Sequence, residues 1–387
     1  MKPTAFLRRF LAITGSAVLT ISYSHAATLY WDVNGSTANF STVVGAWNGT
    51  SSFWNTDATG GAGGSLSALT TAADDIVISQ ATTNTGSITT TGAQVASSIT
   101  FAPNVGPTTT ITGTAITIGG TGALSGVFQQ SSGANTISAG LTLNSANTAF
   151  NFSNSGSGLL TLAAVTGAAT SGTQTITIGA SSTGGITLGG IIGNGAGGGN
   201  VALAINSSGA GITTLSGANT YTGGTTITAG TVKVGNSGNV LGANSSAVSV
   251  VSGAVLDMNG WGMSGTNALS LNGSGIGGTG ALLNSGGTAA RYSGPITLAS
   301  ASTIGNTTAA VLTLGSSGNN INTNGFLLTL KGTGQINIPG NGWGITGGGG
   351  VTVDGLYLSL IGSGVNSTNT LHRHDHRPKR RGYIDLC

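Results

Sequence analysis

Glutamate is absent from the whole chain, and between Ala27 and Leu371 there is no histidine and no cysteine. Ser-His-Asp and Cys-His machinery is therefore excluded from the body, together with the commonest zinc ligands. The single cysteine, Cys387, ends the chain without a partner, so no disulfide framework supports the fold. Charge of either sign is scarce, at 5% of residues against about 25% in ordinary domains. Lys2, Arg8 and Arg9 open the chain and Arg373, Arg377, Lys379, Arg380 and Arg381 crowd its end. Only Lys233, Arg291 and Lys331 lie between, against Asp32, Asp57, Asp74, Asp75, Asp257 and Asp354. So few cations exclude a nucleic-acid partner, whose affinity comes mostly from Lys and Arg on phosphate. No cofactor site is indicated.

What is abundant is glycine, 70 of 387 residues, together with threonine, serine and asparagine. A mean hydropathy of +0.26 and 38% hydrophobic residues are too apolar for a disordered chain, so the body is expected to fold. Residues 1–26 read as a secretory signal peptide: a basic start, the apolar run "FLAITGSAVLTIS", then Ser24-His25-Ala26 with small residues flanking cleavage after Ala26. The apolar run is short for a retained bilayer span.

From Thr108 to Gly362, runs such as "TTTITGTAITIGG", "GTQTITIGA", "NVALAIN" and "FLLTLKGTGQINIPG" alternate aliphatic with Thr, Ser or Asn positions. That is the period of a half-buried strand, and no segment outside the leader has helical spacing over ten or more residues. The class is all-β. In the stretch Leu215–Gly235, Ile227 shares parity with Thr225 and Ala229, whereas Val232 and Val234 fall on the opposite parity with Lys233 outward. The frame slips at Gly230, which marks two short strands and a bend instead of one long strand.

Short strands with glycine corners predict a right-handed parallel β-helix, with coils of roughly 20 residues that cannot stand singly and bury their apolar side by stacking. An antiparallel β-sandwich is the alternative, supported by the hairpin-like pairs Asn259-Gly260, Asn272-Gly273 and Asn324-Gly325.

The segment "TTLSGANTYTGGTTITAGTVKVG", Thr213 to Gly235, resembles the autotransporter-associated β-strand repeat, also called the passenger-associated transport repeat, with Val232 where leucine is usual. The Trp-rich start, "LYWDVNGS" and "GAWNGTSSFWNTDATGG", is similar to the N-terminal parts of long bacterial surface proteins with this repeat. The resemblance implies a β-helix passenger, exported and then displayed at the outer surface or released. Such passengers usually end in an outer-membrane barrel. No barrel strands are recognised here, so the chain is expected to be a passenger fragment, touching a membrane only through a barrel missing from it.

After Thr370 the sequence "LHRHDHRPKRRGYIDLC" breaks every preceding trend. His372, His374 and His376 could form a metal cluster, and the arginines an anion-binding tail. A shifted reading frame is the preferred account: with one codon choice, reading Leu371–His376 one base later gives Tyr-Thr-Gly-Thr-Thr, the repeat motif again. The expected organisation is a signal peptide at 1–26, a Trp-containing cap and first coils at 27–106, passenger repeats at 107–364 and an irregular tail at 365–387.

Candidate chemistry is thin. Asp74 and Asp75 are adjacent and on a strand would face opposite sides, which without a turn does not suit an acid/base pair; a calcium site is the alternative to a solvated turn before the strand "IVIS". Gly193, Gly195 and Gly198 fit G-x-G-x-x-G, a chance match in so glycine-rich a chain. Trp31, Trp47 and Trp54 either cover the first coil or form a sugar-stacking surface. Three function classes follow. The first is a non-enzymatic surface shaft or adhesin meeting surface glycans or other cells. The second is a polysaccharide-acting β-helix enzyme. The third is an ice- or glycan-binding face suggested by Thr-x-Thr pairs such as Thr175 and Thr177.

Overall fold

Aliphatic residues at alternate positions make strands, and glycines end them after a few residues, so the chain must turn often and repeatedly bring apolar faces together. The computed structural model describes residues 27–361 and 371–373, except 36, 38, 41, 80–84, 104–107, 316–320 and 340–343. The expected leader at 1–26, with its cleavage point, lies outside the described residues.

The result is a parallel β-solenoid of about eleven turns. One face stacks strands from Asp75–Ile78 through Ser98–Phe101, Gly126–Gln129 and Ala149–Asn154 to Ile345–Thr346, each paired in parallel with the next coil. The second face runs from Val44–Trp47 through Gly86–Thr90 and Thr108–Gly113 to Val351–Asp354 in the same way. A third face is built in two pieces, Gln94–Ala96 to Ile192–Gly193 and then Ala290–Tyr292 to Tyr357–Ile361. Coil length varies, from 28 residues where Ser98 pairs with Gly126 to 19 where Thr214 pairs with Lys233, so the expected 20 lies at the short end of the range.

Parallel in-register stacking puts like side chains on like. Ile76, Ile99, Val127, Phe152, Ile178, Ile205, Ile227, Val250, Leu271 and Leu298 form one unbroken inward column on the first face, all buried. Neighbouring coils complete each other's backbone hydrogen bonds about 4.8 Å apart, which a lone coil cannot do.

The antiparallel alternative is overturned for the body. Asn259 and Gly260 adopt φ of 49° and 79°, and Asn324 and Gly325 adopt 50° and 82°, the left-handed pair that a tight turn needs. These turns make solenoid corners between parallel strands. Gly273, at φ 80°, sits where the pairing of Leu269–Gly273 with the strand Ile296–Asn306 shifts register. That last strand bends across a corner and serves both faces, Ile296 to Leu298 on the first and Ser302 to Asn306 on the second. Among the described residues, antiparallel pairing is confined to the first coil, Trp31 opposite Trp54 and Asn55 opposite Leu66. Of the tail expected to be irregular, Leu371–Arg373 form a strand on Val351–Asp354.

The parity slip marks the corner it predicts. Thr225–Ala229 and Thr231–Val234 are separate strands, with Ile227, Val232 and Val234 buried and Gly230 between them at φ 82°. A methyl group on Gly230 would lie 2.6 Å from the Ser207 carbonyl oxygen of the coil below. Gly230→Ala is therefore expected to cost about 2 kcal/mol or more, since left-handed strain alone is roughly 1–2 kcal/mol. Urea unfolding followed by circular dichroism checks this, with the exposed Thr226→Ala as the control that leaves the midpoint in place.

Candidate functional site

The motif coil comes first, because its most distinctive residues face inward. In "SGANTYTGGT", Asn219 lies where the third face has no strand and bridges three coils. Its Oδ1 accepts the Ile192 amide at 2.8 Å, and its Nδ2 donates to the Val240 carbonyl at 2.6 Å. Those backbone groups would otherwise be buried without partners, so the side chain substitutes for the missing ladder. Tyr221 is fully buried two residues on, its hydroxyl sharing a hydrogen bond with Thr225 Oγ1 at 2.6 Å. Thr225 occupies an inward position between Leu203 and Val248, and the phenol gives it a partner there. Burial pushes the Tyr221 phenol well above its usual range, against a smaller lowering by Thr225, so the ring stays neutral. Two coils later the donor half of the pattern returns: Asn267 Nδ2 donates to the Ala243 and Ser246 carbonyls, and buried Tyr292 donates to the Asn267 carbonyl at 2.8 Å. Burial raises the Tyr292 phenol likewise. Ser264-Gly265-Thr266-Asn267 repeats the S-G-x-N of Ser216–Asn219, but Leu269 stands where the motif has its tyrosine, so only the structure pairs Asn267 with Tyr292.

Outward positions form rows. On the second face Thr110, Thr136, Thr161, Thr187 and Thr214 stand in register on five successive coils, half-buried by one another. The third face carries Thr117, Thr142 and Thr166 in the same way. Thr175 and Thr177 do not extend into a double row, because their register partners are Ala149 and Asn151 on one side and Ala202 and Ala204 on the other. The long threonine row ends in Lys233 and then Asp257. Lys233 Nζ lies 3.8 Å from Asp257 Oδ2, and the buried carboxylate also accepts the amides of Asn259 and Ser285 and the Ser285 hydroxyl.

Asp32, Asp57, Asp74 and Asp75 are each engaged by hydrogen bonds from their own neighbours. Asp74 accepts from the Ala27 amide at 3.2 Å and from the Thr71 amide and hydroxyl at 2.8 Å, whereas Asp75 accepts the Ser98 hydroxyl of the next coil. The two therefore serve different neighbours. Asp57, half-buried in its loop, is held below its usual range by the Thr59 amide first and the Thr59 hydroxyl next. Gly193 ends a short strand, and the element that follows Gly195 and Gly198 is the strand Asn200–Asn206, so the glycine triplet faces no helix N-terminus. The histidine cluster proposed for the tail lies outside the residues whose side chains are described.

The sugar-stacking reading of the tryptophans is corrected. Trp31, Trp47 and Trp54 are each 1% exposed, with Trp54 edge-on to both others at centroid distances of 4.9 and 5.2 Å. Trp47 Nε1 donates to Thr70 Oγ1 at 3.2 Å. Rings packed against each other inside the first coil have no free face to offer a pyranose.

Residues 208–234 match the family model described as Passenger-associated-transport-repeat, so the chain carries that repeat in the coil built around Asn219 and Tyr221. No curated protein and no solved structure matches it.

Removing Asn219 leaves two backbone groups unpaired, each worth about 1–3 kcal/mol, so Asn219→Ala is expected to destabilise by at least about 2 kcal/mol. Trp47→Ala is expected to cost about 3–5 kcal/mol, as for large aromatic truncations in cores. Exposed Thr220→Ala should change stability by less than about 0.5 kcal/mol. Thermal unfolding of the three variants separates interior from exterior motif positions.

Proposed function

We propose that the chain is the non-enzymatic passenger of an autotransporter-like protein, exported after removal of residues 1–26 and working at the outer surface, or released from it, as a shaft or adhesin. The observation that carries this reading is the passenger-associated transport repeat lying in register within a parallel β-solenoid. Eleven turns at about 4.8 Å give a column on the order of 50 Å long. Its outward rows of Thr, Ser and Asn offer hydroxyls and amides in a line, a surface suited to many weak contacts with surface glycans or other cells. An enzyme acting on polysaccharide would need carboxylates converging on a cleft, and Asp32, Asp57, Asp74, Asp75 and Asp257 are each engaged by hydrogen bonds to their own neighbours. The double row that an ice-matching face would require is missing around Thr175 and Thr177.

Expression in a two-membrane bacterium, with surface proteolysis of intact cells, glycan-array binding and a reducing-sugar assay, tests the proposal. The expected outcome is protein outside the inner membrane that sediments as an elongated particle and releases no reducing ends from any polysaccharide. Retention in the cytoplasm, or sustained release of reducing ends, would refute it.

A further inference from the structure

The first strand, Thr28–Trp31, is fastened at its start by a carboxylate from the next coil. Asp74 is only 6% exposed, and its Oδ1 accepts the Ala27 amide at 3.2 Å while Oδ2 takes the Thr71 amide and hydroxyl. The backbone reinforces the same point, because the Asp75 amide donates to the Ala27 carbonyl at 2.9 Å and Thr28 pairs with Asp75. Among the described residues the one ion pair is Lys233 with Asp257, many coils away, so Asp74 is a buried carboxylate held by neutral donors alone. Burying an ionised carboxylate is costly unless a cation or several strong hydrogen bonds accompany it.

Ala27 is also the residue that cleavage after Ala26 would make the first of the mature chain. Hydrolysis of the Ala26–Ala27 peptide bond by the signal peptidase of the export route consumes one water. It leaves a carboxylate on Ala26 and turns the Ala27 nitrogen from an amide into a primary amine. That amine takes up a proton near neutral pH, since an α-amino group ordinarily titrates near about 8. The atom that touches Asp74 Oδ1 then carries a positive charge. We infer that Asp74 is the receptor for the α-ammonium group of the processed chain, a contact made by a neutral amide in the precursor and by a cation after export. Processing thus adds a charge to the contact that holds Thr28–Trp31, the strand that brings Trp31 to the tryptophan cluster. This rests on the export reading above, but the contact itself can be tested without a cell.

Two proteins suffice: one released from a fusion so that it begins at Ala27 with a free amine, and one extended before Ala27 by two glycines. Hydrogen exchange of the Thr28–Trp31 amides at neutral pH reports the fastening locally. The free-amine protein is expected to exchange there about tenfold more slowly, as a cationic in place of a neutral donor implies. Asp74→Asn should abolish that difference. Equal exchange in the two proteins, or a difference that survives Asp74→Asn, would overturn the inference. Should Asp74→Asn fail to fold, the comparison of the two Asp74 proteins still decides. N-terminal sequencing of exported protein separately tests the export reading: a start other than Ala27 removes the cleavage site and leaves the in vitro result standing.

Discussion

Everything in this molecule depends on the in-register parallel hydrogen bonding of each coil to the next. It fixes the rise per coil and obliges equivalent positions to coincide, which turns a sequence of weak alternation into continuous columns such as Ile76 to Leu298. No individual coil has a core of its own. Stability is shared between neighbours, so variation in coil length from 28 to 19 residues is tolerated provided that the strands themselves stay aligned and the surplus goes into corners.

The cost of that arrangement falls on the corners, where the ladder stops and backbone groups are still buried. Asparagine meets it repeatedly. Asn219 serves Ile192 and Val240, Asn154 donates to the Gly158 and Gly185 carbonyls, and Asn306 donates to the Ala310 and Gln335 carbonyls. A side chain with both donor and acceptor can close two such groups from one position, which neither Ser nor Thr does as well. The one asparagine of the motif, Asn219, is thus part of the interior.

Legibility in the sequence follows the same division. Strand parity was readable because Ile227, Val232 and Val234 are aliphatic and Gly230 interrupts their frame, and the glycine takes the left-handed corner this requires. The Asn-Gly pairs were readable as turns, but local dihedrals do not say whether a turn returns the chain beside itself or carries it on to another face. Asn259 and Gly260 have hairpin-like φ values in a coil whose strands are all parallel. Amide side chains read as exterior by default, which hid the inward roles of Asn219 and Asn267. The tryptophans were ambiguous because capping and stacking both want a flat aromatic, and only their mutual packing at about 5 Å between ring centres distinguishes the two. Asp74 was noticed for its neighbour Asp75, whereas its partner, Ala27, is 47 residues away.

The bent strand Ile296–Asn306 has a mechanical meaning. Elsewhere a coil's two main faces are separate strands joined by a corner, so a pull on the chain can strip one face before the other. Here eleven residues of continuous strand tie both faces to the coils on either side. Tension unravelling the column from its far end meets at this coil a step where both ladders must let go together, which makes it a natural arrest point for peeling under load.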